Sequence, residues 1–341
     1  MTGALTWAPL SYRQQRWELI LVVLGVAGTA AAMLWFANTL DGMRAASPDC
    51  LANLGMNPEM ETGPPAACLA TVTAYYEAES MALNLAKVVW AAPFGMGVIL
   101  GAPLVAREID GGTAQLAWSL SRSRIGWLLR RIAFVTLVGL ALLAVLGFTN
   151  GLLTAAVWPH RTLSEDFVQF GLRDLPVVAR GVGAIMLGVL VGALIGRVLP
   201  AILAAAMVIG LVFFGLSLAE DRWNRAEASV QRFNEESGDP VPFDMAALDV
   251  GYGLVTPDGE FLTHSEAFEG GISPNYFDDS GRAYASEADL EAGRVLGYDA
   301  RLTIPGKRYP DIVIRHSGLA VGLGIVALGL TAIVVVRRRP A

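Results

Sequence analysis

The residue types that most often perform chemistry are scarce in this chain, and their spacing fits no common catalytic or metal site. The three histidines, His160, His264 and His316, lie far apart, and there is no H-E-x-x-H motif, no G-x-S-x-G motif and no cysteine pair at zinc spacing. The P-loop pattern G-x-x-x-x-G-K-[ST] is also absent, so the chain cannot bind ATP phosphates in the P-loop manner. We therefore expect a protein that is not an enzyme and that has no metal site and no cofactor of its own.

The two cysteines of the chain are Cys50 and Cys68, and both lie in segment 41–80. The topology derived below places this segment outside the cytoplasm, where thiols are oxidised. We expect a disulfide between them and favour it over two free thiols.

A polar loop at residues 105–131 is the most distinctive stretch of the sequence. It lies between two apolar runs, 81–104 and 132–157, and each run is long enough to cross a bilayer core, which takes about 20 apolar residues. Short cytoplasmic loops carry an excess of Lys and Arg. The arginines of this loop predict that it faces the cytoplasm; they are Arg107, Arg122, Arg124, Arg130 and Arg131.

Within this loop, residues 114–120 (AQLAWSL) predict a short amphipathic helix, preceded by Gly111-Gly112 and a capping Thr113. Such a helix, tied to two spans, would act as a lever for a soluble partner. The charges expected to pair with that partner are Arg107, Glu108 and Asp110, and the apolar anchors are Leu116 and Trp118. The alternative is a loop whose arginines only orient the spans, but orientation alone requires no amphipathic helix.

The composition indicates a polytopic membrane protein. Hydrophobic residues make up 54% of the chain and charged residues 16%, whereas soluble domains have about 25% charged residues. The mean hydropathy is +0.50. A nucleic-acid partner is not expected, because no basic domain is present to neutralise phosphates.

The apolar runs predict an all-α membrane protein with six transmembrane helices and both termini in the cytoplasm. The predicted spans are residues 19–40, 81–104, 132–157, 180–195, 201–219 and 318–336. Residues 1–18 predict a helix in the cytoplasmic interface. Arg337, Arg338 and Arg339 place the C-terminal tail of segment 317–341 inside.

Segments 41–80 and 220–316 are then external, and residues 161–179 form an external or re-entrant connector. Segment 220–316 carries 19 acidic and 9 basic residues and predicts a small α+β domain. Residues 221–237 have helical spacing, residues 254–262 predict a hairpin with a Pro-Asp-Gly turn, and residues 301–304 and 311–314 predict further strands.

The sequence resembles the ABC-2-type transporter permeases of actinobacterial type at three places. The segment AREIDGGTAQLAWSLSRSRIGWL is similar to the R-E-x-x-x-G-T-x-x-L-x-W-x-x-S-x-x-R-x-x-W-L loop of that family. The opening L-T-W…Y-R-Q-Q-R-W resembles its interface helix, and R-Y-P-D-I-V-I-R-H-S-G-L-A resembles the entry to its last helix. At that entry Ile314-Arg315-His316 departs from the more aromatic, glutamine- and glutamate-bearing pattern.

The resemblance implies a complex in the bacterial plasma membrane. Two permease subunits, either a homodimer or a heterodimer of paralogues, would bind two cytoplasmic ABC ATPase subunits, and those subunits would hold ATP and Mg²⁺. Export is the direction usual in the family. By the same resemblance Glu108, Gly112 and Thr113 begin the coupling helix, and Gln115, Leu116 and Trp118 lie on it.

The expected cargo is an amphipathic or lipid-like compound or a peptide, because the spans lack the chain of buried charges typical of ion-coupled transport. The contacts of the chain would then be membrane lipids, cargo, the ATPase and a second permease copy. The alternative function is a membrane-anchored binding or sensing protein whose external domain captures a ligand. A third possibility is an exporter whose external domain recruits an envelope partner or delivers the cargo onward.

Overall fold

The chain forms two compact units. The helical unit comprises residues 1–160, 169–213 and 313–341, and the sheet unit comprises residues 161–168 and 214–312. The computed structural model describes residues 7–51, 65–113, 123–232, 246–271, 276–277 and 282–338.

Six helices in the described part of the chain are long and apolar enough to cross a membrane, as predicted. A helix satisfies its backbone hydrogen bonds internally, which is why apolar runs of this length form helices in lipid. The six candidate spans are Gln15–Ala46, Leu69–Asp110, Arg124–Val157, Asp174–Ile195, Val198–Glu227 and Gly306–Arg337.

The long helices are α1 (Trp7–Ala46), α3 (Leu69–Met96), α5 (Arg124–Val157), α6 (Asp174–Ile195), α7 (Val198–Glu227) and α10 (Tyr309–Arg337). A non-helical residue, Gln15, divides α1 into two helices. The short helix α2 is Pro48–Leu51. A π-helical segment, Gly97–Gly101, joins α3 to α4 (Ala102–Asp110).

Helix α6 forms the centre of the helical unit. In its most apolar window 72% of the residues are buried, against 22% in α7. Glycines allow α3, the π-helical segment and α4 to approach α6 closely, because a Cβ at Gly188 would overlap the Gly97 carbonyl oxygen and one at Gly192 would overlap that of Ala102. The span that leads into the arginine-rich loop is therefore packed backbone to backbone on the central helix.

The helix ends opposite the arginine-rich loop are joined covalently and by polar contacts. Cys50 and Cys68 form the predicted disulfide, with their Cα atoms 5.4 Å apart. Arg44 of α1 donates to the Tyr75 hydroxyl of α3 at 3.3 Å and to the carbonyl oxygen of Ala156 near the end of α5. These contacts fasten α1, α3 and α5 to one another.

The described residues of the sheet unit form a six-stranded antiparallel sheet. The strands are β1 Ser229–Arg232, β2 Leu248–Val255, β3 Phe261–Thr263, β4 Tyr276–Phe277, β5 Arg282–Tyr284 and β6 Gly297–Ile304. Their order in the sheet is β3-β2-β6-β5-β4, with β1 also paired to β6. The short helices α8 (His264–Glu269) and α9 (Glu287–Glu291) also belong to this unit.

The predicted hairpin is confirmed. Strands β2 and β3 pair with Leu254 opposite Leu262, and the turn between them has Gly259 at φ +90°, a conformation that favours glycine. Leu254 and Leu262 pack with Ala267 of α8 and Ala283 of β5 in the core of this unit. The predicted strand at residues 301–304 is the second half of β6.

Three predictions about individual helices and strands are wrong. Asp311–Ile314 belongs to α10 and not to a strand, because Pro310 and Asp311 are residues that favour a helix N-terminus. The helical pattern after residue 220 ends at Glu227, and Ser229–Arg232 forms a strand because it pairs with β6. Helix α6 begins at Asp174, which shortens the predicted connector 161–179.

Candidate functional site

The arginine-rich loop leaves and rejoins the helical unit through well-defined helix ends. Helix α4 ends at Asp110, and Gly112 takes φ +65°, which turns the chain out of the helix. The chain re-enters at Ser123, whose side-chain oxygen accepts from the Gly126 backbone N–H at 2.9 Å and caps α5. The predicted coupling helix at residues 114–120, with Gln115, Leu116 and Trp118, lies outside the described residues.

A buried ion pair joins the two ends of the loop. Arg131 of α5 lies 2.8 Å from the Glu108 carboxylate of α4, and their side chains are only 8% and 6% exposed. The other Glu108 carboxylate oxygen accepts from the Thr113 hydroxyl at 2.7 Å. Arg131 also donates through Nε to the Leu104 carbonyl oxygen at 3.3 Å and lies over the Trp127 ring at 5.8 Å.

The polar partners around this pair explain why two charges are stable there. Burying a charge is costly unless it is paired and hydrogen-bonded. Glu108 receives an arginine and a hydroxyl, and Arg131 receives a carboxylate, a carbonyl oxygen and an aromatic face. The pair therefore fixes the first residue after the glycine turn, Thr113, to the helix that follows the loop.

Helix α4 is also tied to two other spans. Arg107 forms an ion pair with Glu18 at the start of the first span. The Asp110 carboxylate accepts from the Val198 backbone N–H at 3.3 Å, and Val198 is the first residue of α7. A carboxylate at a helix N-terminus meets its unpaired N–H groups and the positive end of its dipole.

Arginines bind the C-terminal ends of two helices in the same region. Arg124 donates to the carbonyl oxygens of Val336 at 3.1 Å and Arg338 at 3.0 Å, at the end of α10. Arg338 donates to the Ala193 carbonyl oxygen at 2.6 Å, near the end of α6. These guanidinium groups satisfy carbonyls that have no partner within a helix. Through these ties the residues flanking the loop contact α1, α5, α7 and α10, and Arg338 in turn joins the end of α10 to α6.

The three charges predicted to pair with a partner subunit all have partners within the chain. These are Glu18 for Arg107, Arg131 for Glu108 and the α7 N-terminus for Asp110. Sequence reasoning missed the roles of Glu18 and Arg131. The available signal was that an acidic and a basic residue each directly adjoin an apolar run, where an unpaired charge would be costly.

Polar groups of the sheet unit form a separate local network. Asp249 accepts from the Tyr252 hydroxyl at 2.9 Å and from Arg301 at 3.2 Å, and the bond to Asp249 raises the pKa of Tyr252. Burial raises the pKa of Asp299, and the charge of His264 opposes this shift. Within the described ranges, no group of three or more His, Cys, Asp or Glu side chains is placed to hold a metal ion.

Most of the helical unit, including the residues of the buried ion pair, lies in the part of the chain that matches a known family. The family described as ABC-2 membrane transporter related matches residues 21–219, which is more than half of the chain. The chain belongs to this family. The ABC-2 permease family comprises membrane subunits of ABC transporters and implies association with an ABC ATPase. No curated protein matches the chain, and no solved structure matches it. Residues 220–341, which include almost all of the sheet unit, lie beyond the matched segment.

Proposed function

We propose that this ABC-2 permease is the membrane subunit of an ATP-driven exporter and that its loop at residues 105–131 couples the permease to the ATPase. The observation that carries the proposal is the Glu108–Arg131 pair, which joins the two ends of that loop. A loop that served only to orient the spans would not require its ends to be locked together by buried charges.

The contacts of α4 offer a route for force. A displacement of the loop by an ATPase would move Glu108 and, through it, α5. The same displacement would pull on α1 through Arg107 and on the N-terminus of α7 through Asp110. Several spans would then respond together, as a change of access across a membrane requires.

The orientation follows from charge. The arginine-rich end of the helical unit faces the cytoplasm, and both termini are cytoplasmic. Segments 41–80 and 220–316, and with them most of the sheet unit, lie outside the plasma membrane. The Cys50–Cys68 disulfide supports this orientation, because disulfides persist in oxidising compartments.

The working complex contains two permease copies, identical or paralogous, and two ATPase subunits that bind ATP and Mg²⁺. The chain contributes no catalytic residue of its own. Its cargo is an amphipathic or lipid-like compound or a peptide. An alternative function, ligand capture or sensing by the sheet unit, is favoured by one observation, namely that this unit lies almost entirely beyond the matched segment.

Co-purification tests the coupling role of the loop. The tagged chain is expressed with an ABC ATPase encoded beside it, and the ATPase retained is measured for wild type and for Trp118→Ala. Truncation of an aromatic anchor at an interface costs about 2 kcal/mol or more, which corresponds to an affinity for the ATPase about 30-fold lower. We therefore expect Trp118→Ala to retain much less ATPase than wild type. The matched control is Trp223→Ala, which lies in the sheet unit and should retain the ATPase.

Equal retention of the ATPase by wild type and Trp118→Ala would refute the coupling role of this residue. An ATPase that never co-purifies, combined with transport by the chain alone, would refute the exporter assignment.

A further inference from the structure

Helix α3 carries a polar stripe on its exposed surface. The stripe consists of Thr73, Glu77, Ser80, Asn84 and Lys87, and all five residues are exposed. Their spacing alternates between four and three residues, which places them along one face of a helix.

This stripe does not have the character of a lipid-facing surface. The exposed face of α7 within the helical unit is apolar, as in Leu199, Leu203, Met207 and Leu211. Ionisable residues within spans almost always face a protein interior or a water-filled path, because hydrocarbon solvates them poorly. The exposed face of α3 therefore differs from that of α7 in chemistry and not only in position.

On the topology proposed above, Lys87 lies within the hydrocarbon core, near its outer boundary. The carbonyl oxygen of Leu104 binds Arg131 at the charged end of the bundle, and Lys87 precedes Leu104 by 17 residues. At a helical rise of 1.5 Å per residue this separation is about 25 Å, within the roughly 30 Å thickness of a hydrocarbon core. The remaining members continue from Lys87 toward the end of α3 that carries the disulfide. The stripe thus runs from inside the core to the surface opposite the loop.

Lys87 gives the stripe a positive charge at its deep end. Its ammonium group donates to the Asn84 side-chain oxygen at 2.7 Å. Among the residues that the structure describes, no carboxylate lies within ion-pair distance of Lys87. Apolar side chains flank it on the same exposed side of α3, with Trp90 57%, Met81 59% and Val88 44% exposed. This combination matches a molecule with an anionic head and an apolar body.

We propose that the exposed face of α3 around Lys87 binds the anionic head group of an amphipathic cargo. The inference rests on the proposed exporter function and specifies its substrate class. Lys87 and Asn84 contact the head group, and Trp90, Met81 and Val88 contact the apolar part. Serine, glutamate and threonine farther along the stripe keep the route to the outer surface hydrated. Because α3 continues through the π-helical segment into α4, the site and the start of the loop are connected by continuous helix.

Binding can be measured on the purified full-length chain in phosphatidylcholine nanodiscs. The probes are a stearic acid that carries a nitroxide near its carboxylate and the methyl ester of the same compound. Quenching of tryptophan fluorescence reports contact, and Trp90→Phe identifies the contribution of Trp90. Lys87→Gln removes the charge, Lys87→Arg keeps it, and Lys307→Gln makes the same chemical change at the other lysine of the chain.

We expect Lys87→Gln to weaken binding of the acid by about tenfold, the loss typical for one hydrogen bond to a charged group. Lys87→Arg and Lys307→Gln should bind the acid as wild type does, and the ester should bind all variants equally. Equal binding of the acid to wild type and Lys87→Gln would overturn the inference. So would a parallel loss of acid and ester binding.

A second measurement separates cargo from bulk lipid. In the co-purified ATPase complex, the unlabelled fatty acid should stimulate ATP hydrolysis, and Lys87→Gln should raise the half-maximal concentration about tenfold. A lysine that merely reaches the lipid head groups would leave that concentration unchanged, which would overturn the assignment to cargo. A complex that fails to form refutes the exporter function instead, while the quenching result still decides whether Lys87 binds the anion.

Discussion

The Glu108–Arg131 pair allows the most quantitative prediction about the helical unit. Replacement of one member removes the opposite charge that lies 2.8 Å from the other. Arg131→Gln removes the guanidinium from Glu108, which keeps the bond from the Thr113 hydroxyl, and Glu108→Gln removes the carboxylate from Arg131, which keeps the Leu104 carbonyl oxygen and the Trp127 ring. Loss of one partner of a buried pair costs about 3–5 kcal/mol, and we expect both single variants to lose stability in this range.

The double variant Glu108→Gln/Arg131→Gln separates the ion pair from general damage to packing. Two neutral amides leave no buried charge, and each can both donate and accept a hydrogen bond, although glutamine is shorter than the arginine that it replaces. We therefore expect the double variant to be more stable than either single variant, with a coupling free energy of about 3 kcal/mol or more. The matched control is Arg130→Gln, since Arg130 adjoins Arg131 but is exposed; it should cost less than about 0.5 kcal/mol.

The assay is unfolding of the purified chain in mixed micelles by titration with sodium dodecyl sulfate, followed by circular dichroism. If the two single losses add to give that of the double variant within about 0.5 kcal/mol, the side chains are not coupled. That result would refute the conclusion that this pair locks the ends of the loop.

Three further outcomes are expected. Reduction of the disulfide or Cys68→Ser should lower stability by about 3 kcal/mol in the same titration, and an unchanged midpoint would argue that the bridge does not constrain the chain. Gly188→Leu should abolish folding or strongly lower stability, because its side chain would overlap the π-helical segment, whereas Gly210→Leu, with open space around it, should be tolerated; equal effects would contradict the close packing. Hydrogen bonds from Thr263 lower the pKa of Glu266 below its ordinary value of 4.5. The ionised Glu266 carboxylate therefore stabilises α8 fully above pH 4.5, and this stabilisation is lost as the pH falls through the lowered pKa. The protection factors of the α8 amides, which correct for the intrinsic exchange rate at each pH, should therefore fall at acid pH in wild type but not in Thr263→Ala, and identical pH profiles would refute the linkage.

The spans were predictable from the sequence because each is an apolar run longer than the bilayer requires. Their ends were not. Residues 312–314 are three β-branched apolar residues, Ile-Val-Ile, of the kind enriched in strands, but they lie in the first turns of a helix that runs from Tyr309 to Arg337. A short apolar run does not distinguish a strand from the start of a long helix. The opposite error occurred at Ser229–Arg232, where a helix was predicted and a strand is present. Its partner strand lies about 70 residues away in the sequence, so no local pattern indicates the pairing.

The sequence predicts the loop and its candidate residues but not the contacts that those residues make. The arginine excess pointed to the loop, and the family resemblance pointed to Glu108 and Thr113. The pairing of Glu108 with Arg131 requires the fold to bring the end of α4 near the start of α5, which no local pattern encodes. The same limit applies to Arg107 and Glu18, which are 89 residues apart. A charge that adjoins an apolar run signals that a partner is needed, but only the fold shows which residue it is.

The central claim is that the loop between the second and third spans contacts an ABC ATPase on the cytoplasmic side. The most direct measurement places a photoreactive amino acid at position 118 in intact cells that also express the ATPase, with position 223 as the control site. Irradiation should join position 118, and not position 223, to a polypeptide that carries a G-x-x-x-x-G-K-[ST] motif. An ATPase adduct formed from position 223 and absent at position 118 would contradict the proposed topology and the proposed coupling.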